Sequence, residues 1–259
     1  MNNIVRNAFV VLLLIGSQLL LVACVVVGQH KGSDEEIARA NVDLAAEYYR
    51  QGRMDFALSN AKKAVRADPE SVDANILIAL IYSRIDEKAL AREHFESAAE
   101  YVQSDSATYG QVHNNFGAFL CANDQYIEAQ EHFSLAVDNK LYQTPEVAYE
   151  NAGLCALNRP DVDNARLYFN EALKIKPNMP RALIEMAKLD IEMKKYADAK
   201  SVLQRFHKAN ETNSQSLWLA FQVEHGLGNK DKAQKLLAQL KKDFPDSLEA
   251  KGNSLVSDE

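Results

Sequence analysis

The chain has 259 residues, with 29 lysines and arginines against 36 aspartates and glutamates, a formal net charge of −7. That balance argues against nucleic acid as a partner, because phosphate recognition needs basic patches. Ten glycines, six prolines and three cysteines exclude collagen-like, low-complexity and disulfide-dense chains.

At the N-terminus, residues 8–23 are apolar apart from Ser17 and Gln18, behind the single positive side chain Arg6. The stretch closes on Leu21-Val22-Ala23-Cys24, which resembles the bacterial lipobox. The resemblance implies cleavage before Cys24, a diacylglyceryl thioether on its thiol and acylation of the new amino group. A thiol suits such a transfer because its thiolate is a strong nucleophile. Residues 1–23 are then a lipoprotein signal peptide, and residues 24–37 the lipidated cysteine and a tether. The alternative is a single membrane-spanning helix: with Val25-Val26-Val27 included, the apolar run covers residues 8–27, long enough to cross a bilayer. The short hydrophobic stretch and the Ala-Cys placement fit a cleaved signal better. Val25 follows the cysteine where lipoproteins retained at the inner membrane carry aspartate, so the resemblance points to the periplasmic face of the outer membrane. Ser33 followed by Glu36 reads as a capping box opening the first helix.

From residue 38 onward an alanine returns at one point of a repeating unit: Ala57, Ala91, Ala129, Ala165, Ala199 and Ala233. The spacing is about 34 residues with two slightly longer steps, which is the period of tetratricopeptide repeats. With that alanine as position 20, position 8 reads Ala45, Ala79, Gly117, Gly153, Ala187 and Phe221. Small residues there allow two helices of one repeat to approach closely. Position 24 holds Phe95, Phe133, Phe169, Leu203 and Leu237 after Ala61, and position 32 holds Pro69, Pro177 and Pro245. Proline stops the second helix, because it lacks the donor and clashes with the preceding turn. Gly52, Asn123-Asp124, the stretch from Asn158 to Asp161, and Gly228-Asn229 break the chain between the two helices of a unit.

The fold class that follows is all-α: a right-handed superhelical array of six tetratricopeptide, helix-turn-helix repeats. They span residues 38–247, as 38–71, 72–109, 110–145, 146–179, 180–213 and 214–247, followed by a polar C-terminal tail, 248–259. Extra residues around Tyr101–Gly110 and Asp138–Pro145 are expected to lengthen a second helix. Two departures stand out, Phe221 at a small-residue position and Asp190 at position 11, where Tyr48 and Tyr82 sit in the first two units.

In such arrays the first helices line the concave face. Val42, Tyr49 and Arg50 of the first unit and Ile76, Leu80 and Arg84 of the second form an apolar strip rimmed by arginines. That composition suits a protein-binding groove, although packing within the array would explain the same residues. The fourth unit adds Val147, Leu154 and Leu157, and the sixth adds Trp218. Cys121 and Cys155 fall on first helices of adjacent units, so either a disulfide or two buried thiols is expected. No phosphate loop, dinucleotide glycine run or zinc-protease motif occurs, so neither a catalytic residue nor a cofactor, metal or small-molecule substrate is expected. His94 and His132, each within a Glu-His-Phe triplet, read as surface histidines beside core phenylalanines.

Six such repeats behind a lipobox, with Asn114-Asn115-Phe116-Gly117-Ala118-Phe119-Leu120-Cys121 and Asn151-Ala152-Gly153-Leu154-Cys155-Ala156-Leu157, resemble the type IV pilus biogenesis lipoproteins, the PilF/PilW pilotins. The resemblance implies an outer-membrane lipoprotein whose repeats bind secretin subunits and promote their localisation and multimerisation. A general periplasmic scaffold for another envelope complex is the alternative.

Overall fold

The computed structural model describes residues 32–252, and every regular element among them is helical. Cys24 and the hydrophobic N-terminal segment lie outside the described residues. The chain divides into two compact units, residues 1–103 and 104–259. The first contains α1 (32–50), α2 (Met54–Ala67), α3 (Val72–Arg84) and α4 (Lys88–Tyr101). In the second, α5 (Ala107–Ala122) and α6 (Tyr126–Asp138) are followed by α7 (Pro145–Asn158) and α8 (Val162–Ile175). Then come α9 (Pro180–Glu192) with α10 (Tyr196–Ala209), and α11 (Ser214–Gly226) with α12 (Lys230–Asp243). A short α13 (Leu248–Gly252) ends the described chain.

The helices start and stop where their residues dictate. Ser71, Ser106 and Asn213 cap α3, α5 and α11 through their side chains, satisfying donors that a helix start leaves open. Pro145 and Pro180 instead occupy the first turns of α7 and α9, where a missing N–H costs nothing. Asp68 and Lys176, each preceding a proline, are extended, as the proline ring requires of its predecessor. Between the paired helices the chain bends through a left-handed residue at position 15 of the repeat: Gly52, Asp86, Asp124, Lys194 and Gly228. Glycine takes this conformation freely, and aspartate tolerates it better than most.

Paired helices pack as hairpins, α3 on α4, α5 on α6, α7 on α8, α9 on α10 and α11 on α12, and within each unit the next first helix packs on the hairpin before it. The repeating small residues create this closeness. Ala57, Ala91, Ala129, Ala165 and Ala199 are fully enclosed, as are Ala64, Ala98, Ala136 and Ala172. A methyl group at Gly117 would lie 2.9 Å from the Phe133 ring, and one at Gly153 would lie 2.7 Å from Phe169. Phe95, Phe169 and Phe206 fill the space so defined, each burial contributing about 2–3 kcal/mol.

Three expectations change. The first helix already runs from residue 32, inside the segment read as a tether, so Ser33 lies within the helix rather than capping it. The inserted residues do not lengthen second helices: α4 and α6 end at Tyr101 and Asp138 like their counterparts. The surplus goes into the connections 102–106 and 139–144 and an extra turn of α5. Asn139 secures one connection, its Nδ2 donating to the carbonyls of Ser104 and Ser106. Finally, part of the polar tail is ordered as α13, whose Ala250 packs with Leu217 and Leu240.

Candidate functional site

In the first unit, α1 and α3 carry the strip read from the sequence. Val42, Tyr49 and Leu80 are half-buried, and Arg50 and Arg84 are exposed. The Arg84 guanidinium lies 5.4 Å from the centre of the Tyr49 ring. This contact brings position 12 of one first helix onto position 13 of the next, joining an aromatic face to a cation at an accessible edge. Arg50 is held by Glu47 of its own helix. Ile76 departs from the expectation: only 5 % of it is exposed. Residues Ala74 to Ala79 of α3 are buried without interruption, because the helix is enclosed on most of its circumference. Ile76 therefore supports the groove from beneath and is no contact surface.

In the second unit, a cleft of about 310 Å³ lies across three first helices, α5, α7 and α9. Its apolar wall includes Leu154 and Leu157, and Asn151, Asn158, Arg181 and Glu185 supply polar groups. Asn151 Nδ2 donates to Asn114 Oδ1 at 2.9 Å, so successive first helices are tied side chain to side chain. Cys121 and Cys155, also in its lining, are joined by a disulfide with Cα atoms 5.8 Å apart. Asn158 Nδ2 sits 3.6 Å from the Cys121 sulfur. A cleft that is part aliphatic, part amide and rimmed by one cation and one anion suits an extended polypeptide, whose backbone needs both donors and acceptors.

Trp218 stacks on Phe221 with ring centres 5.0 Å apart and packs against the cluster of Leu217, Leu240 and Ala250.

Tetratricopeptide-repeat sequence families match residues 42–106 and 122–180, 159–215 and 217–247. Over 252 residues the chain is 32 % identical to the type IV pilus assembly protein PilF of Pseudomonas aeruginosa, covering 95 % of this chain and 96 % of that protein. The chain belongs to the PilF family of tetratricopeptide-repeat proteins. The solved Pseudomonas aeruginosa PilF structure superimposes with a TM-score of 0.75 at 28 % identity, covering 87 % of this chain and all of that one. PilW, described as a widely conserved type IV pilus biogenesis factor, superimposes with a TM-score of 0.74 at 27 % identity, covering 83 % and 97 %.

Several polar groups of this PilF-family chain have partners that a sequence reading does not show. Asp190, 1 % exposed, is paired with Arg166 of the preceding hairpin. Glu224, 4 % exposed, is gripped by Lys232 Nζ at 2.7 Å, Lys200 Nζ at 3.0 Å and Asn229 Nδ2 at 2.7 Å. Burial alone would raise its pKa, but these partners outweigh burial and hold it down to about 2. The histidines are not simple surface groups either. His94 Nδ1 bonds Asn75 Oδ1 at 2.9 Å, and His132 Nδ1 meets His113 Nδ1 at 2.8 Å. Burial, then the neighbouring His132, pushes the His113 pKa down to about 4. Both pairs join position 4 of a first helix to position 23 of a second, a register that period-counting on hydrophobic residues cannot reveal.

Proposed function

We propose that the chain is a pilotin: an outer-membrane lipoprotein, facing the periplasm, that binds secretin subunits and promotes their localisation and multimerisation in type IV pilus biogenesis. The observation that carries this reading is the 32 % identity with PilF along 95 % of the chain, accompanied by Leu21-Val22-Ala23-Cys24 at the N-terminus. In this reading the lipid on Cys24 moors the array, and the concave first helices hold a secretin segment. Tethering a weakly held partner to a surface raises its local concentration there, so assembly follows without a chemical step. The contact residues assigned to the partner are Val42, Tyr49, Leu80, Arg50 and Arg84 in the first unit and, as a separate patch, Leu154, Leu157 and Arg181 in the second.

The test separates anchoring from gripping. Cys24→Ala is expected to move the protein out of the outer-membrane fraction and to lower secretin multimers. Tyr49→Ala with Arg84→Ala is expected to leave the protein in the membrane yet abolish secretin co-purification. Normal multimers and pili in a strain lacking the protein would defeat the reading. Co-purification of another envelope complex without secretin would instead support a general scaffold.

A further inference from the structure

The chain carries more acids than bases, 36 against 29, and over the surface as a whole that surplus favours a basic partner. The two contact patches depart from it. In the first unit, Arg50 is engaged by Glu47 of its own helix. Arg84 rests instead on the Tyr49 ring, 5.4 Å from its centre, and enters no ion pair or hydrogen bond among the described residues. The ring steadies the guanidinium without neutralising it. Leu80 lies one turn before Arg84 on α3 and Val42 two turns before Tyr49 on α1, each on the side of its helix that carries the contact. In the cleft of the second unit, Glu185 Oε1 accepts from Lys188 Nζ at 2.8 Å, so its charge is met within α9. Arg181, one turn before Glu185, makes no ion pair or hydrogen bond among the described residues. Glu150 of α7 acts on it through space, while one oxygen of that carboxylate accepts from the Ala182 N–H at 3.1 Å. Asn151, Leu154, Cys155 and Asn158 line the same cleft at helical spacing along α7. The two amides stand about 10 Å apart along the axis, the reach of about three extended residues, with Leu154 between them.

We propose that each patch takes a polypeptide segment in which an acidic side chain adjoins an aliphatic one. In the pilotin reading, on which this rests, the segment belongs to the secretin subunit. The carboxylate docks on Arg84 in the first unit and on Arg181 in the second. Its aliphatic neighbour docks on Val42 and Leu80, or on Leu154 and Leu157. Arginine suits the task, because its planar fork makes two parallel hydrogen bonds to one carboxylate. A guanidinium without a counter-charge gains one when the segment arrives, whereas a paired one must first be released. A basic segment would meet these same cations, and the neighbouring carboxylates are already engaged, Glu47 by Arg50 and Glu185 by Lys188. In the second unit, Asn151 and Asn158 serve the backbone of the segment between its anchored side chains. The surplus of acids elsewhere confines an acidic segment to the places where these arginines stand, which favours specificity over strength.

The test measures binding of purified secretin subunits to the membrane-extracted protein at low and at high salt. Binding by the parent is expected to weaken as salt rises, because screening acts on accessible pairs. Arg84→Gln and Arg181→Gln are each expected to weaken low-salt binding about fivefold and to reduce its salt dependence. Both arginines are exposed, so these variants should keep the parent's thermal melt. Leu154→Ala is expected to weaken binding with the salt dependence unchanged. Independently, the photo-crosslinking replacements Leu80→p-benzoylphenylalanine and Leu157→p-benzoylphenylalanine are expected to capture secretin segments with aspartate or glutamate within about two residues, one extended repeat, of the linked position. Unchanged or tighter binding in both arginine variants, or captured segments that are basic, would overturn the proposal. An effect at one arginine alone would withdraw the assignment for the other patch. A parent chain that does not bind secretin defeats the pilotin reading and this proposal together, whereas secretin binding indifferent to both arginines defeats the proposal alone.

Discussion

Asp190 on α9 is almost wholly enclosed, and its Oδ1 lies 2.5 Å from Nη1 of Arg166 on α8. The first two repeats hold tyrosine at this position, and the third has Leu120, so where those repeats carry an aromatic or aliphatic side chain this one carries a buried ion pair. A buried charge tolerates loss of its partner poorly. Arg166→Met is expected to cost about 3–5 kcal/mol, and Arg166→Met with Asp190→Leu to recover most of it. Urea denaturation of the two variants and the parent decides this; equal losses in single and double variants would contradict it.

The bond between Cys121 and Cys155 spans a sequence separation of 34 residues. Closing a loop of that length restricts the unfolded chain and is worth about 3–4 kcal/mol. Reduction, or Cys121→Ser with Cys155→Ser, is therefore expected to lower the denaturation midpoint clearly. An unchanged midpoint, or alkylation of both thiols in protein taken from an oxidising compartment, would show that the pair is not bonded in use.

Two buried groups set separate pH windows. His113 is held neutral in the folded protein at about 4, below its ordinary 6.5, by burial and by His132. Unfolding lets it take up a proton, so its contribution is full above pH 6.5 and lost as pH falls towards 4. Glu224 has a folded value of about 2 against an ordinary 4.5, so its contribution is lost only as pH falls from 4.5 towards 2. Stability followed by urea midpoints should therefore decline in two stages. His113→Phe should flatten the first stage and Glu224→Gln the second; a variant that flattened the other's stage would refute the assignment.

Gly117 and Gly153 give a packing test. Each faces a phenylalanine ring at a distance that no added methyl can occupy without movement. Alanine at either place is expected to cost about 1–3 kcal/mol, despite alanine's better helix propensity. Thermal melts of the two variants check this, and a rise in melting temperature would contradict it.

The repeats were legible because their core demands size rather than identity. Position 20 must be small wherever two helices cross, so Ala57 to Ala233 mark the register without an alignment. The turn residue was only half legible: Gly52 and Gly228 announce a left-handed bend, whereas Asp86 and Lys194 adopt the same bend without looking like breakers. The groove was legible as a set of positions, and Tyr49 with Arg84 does meet there. Ile76 misled because a regular position says which way a side chain starts, not how much of it its neighbours enclose. Arg181 and Glu185 of the second cleft were missed because charged residues on a helix ordinarily read as solvated. Asp190 showed in the sequence only as an irregular position and Glu224 not at all: each is buried where cations from other helices meet it, and sequence order does not record that meeting.

The covalent link between α5 and α7 has a mechanical consequence. A stack in which each repeat touches only its neighbours comes apart from its ends by successive peeling. A bond between consecutive first helices stops that peeling at a fixed point, so disruption starting at α13 can travel inward through the fifth and sixth repeats and then meets a covalent barrier. Pulling experiments on the second unit should register this as an extension that falls short by the 34-residue loop in oxidised protein and is regained after reduction.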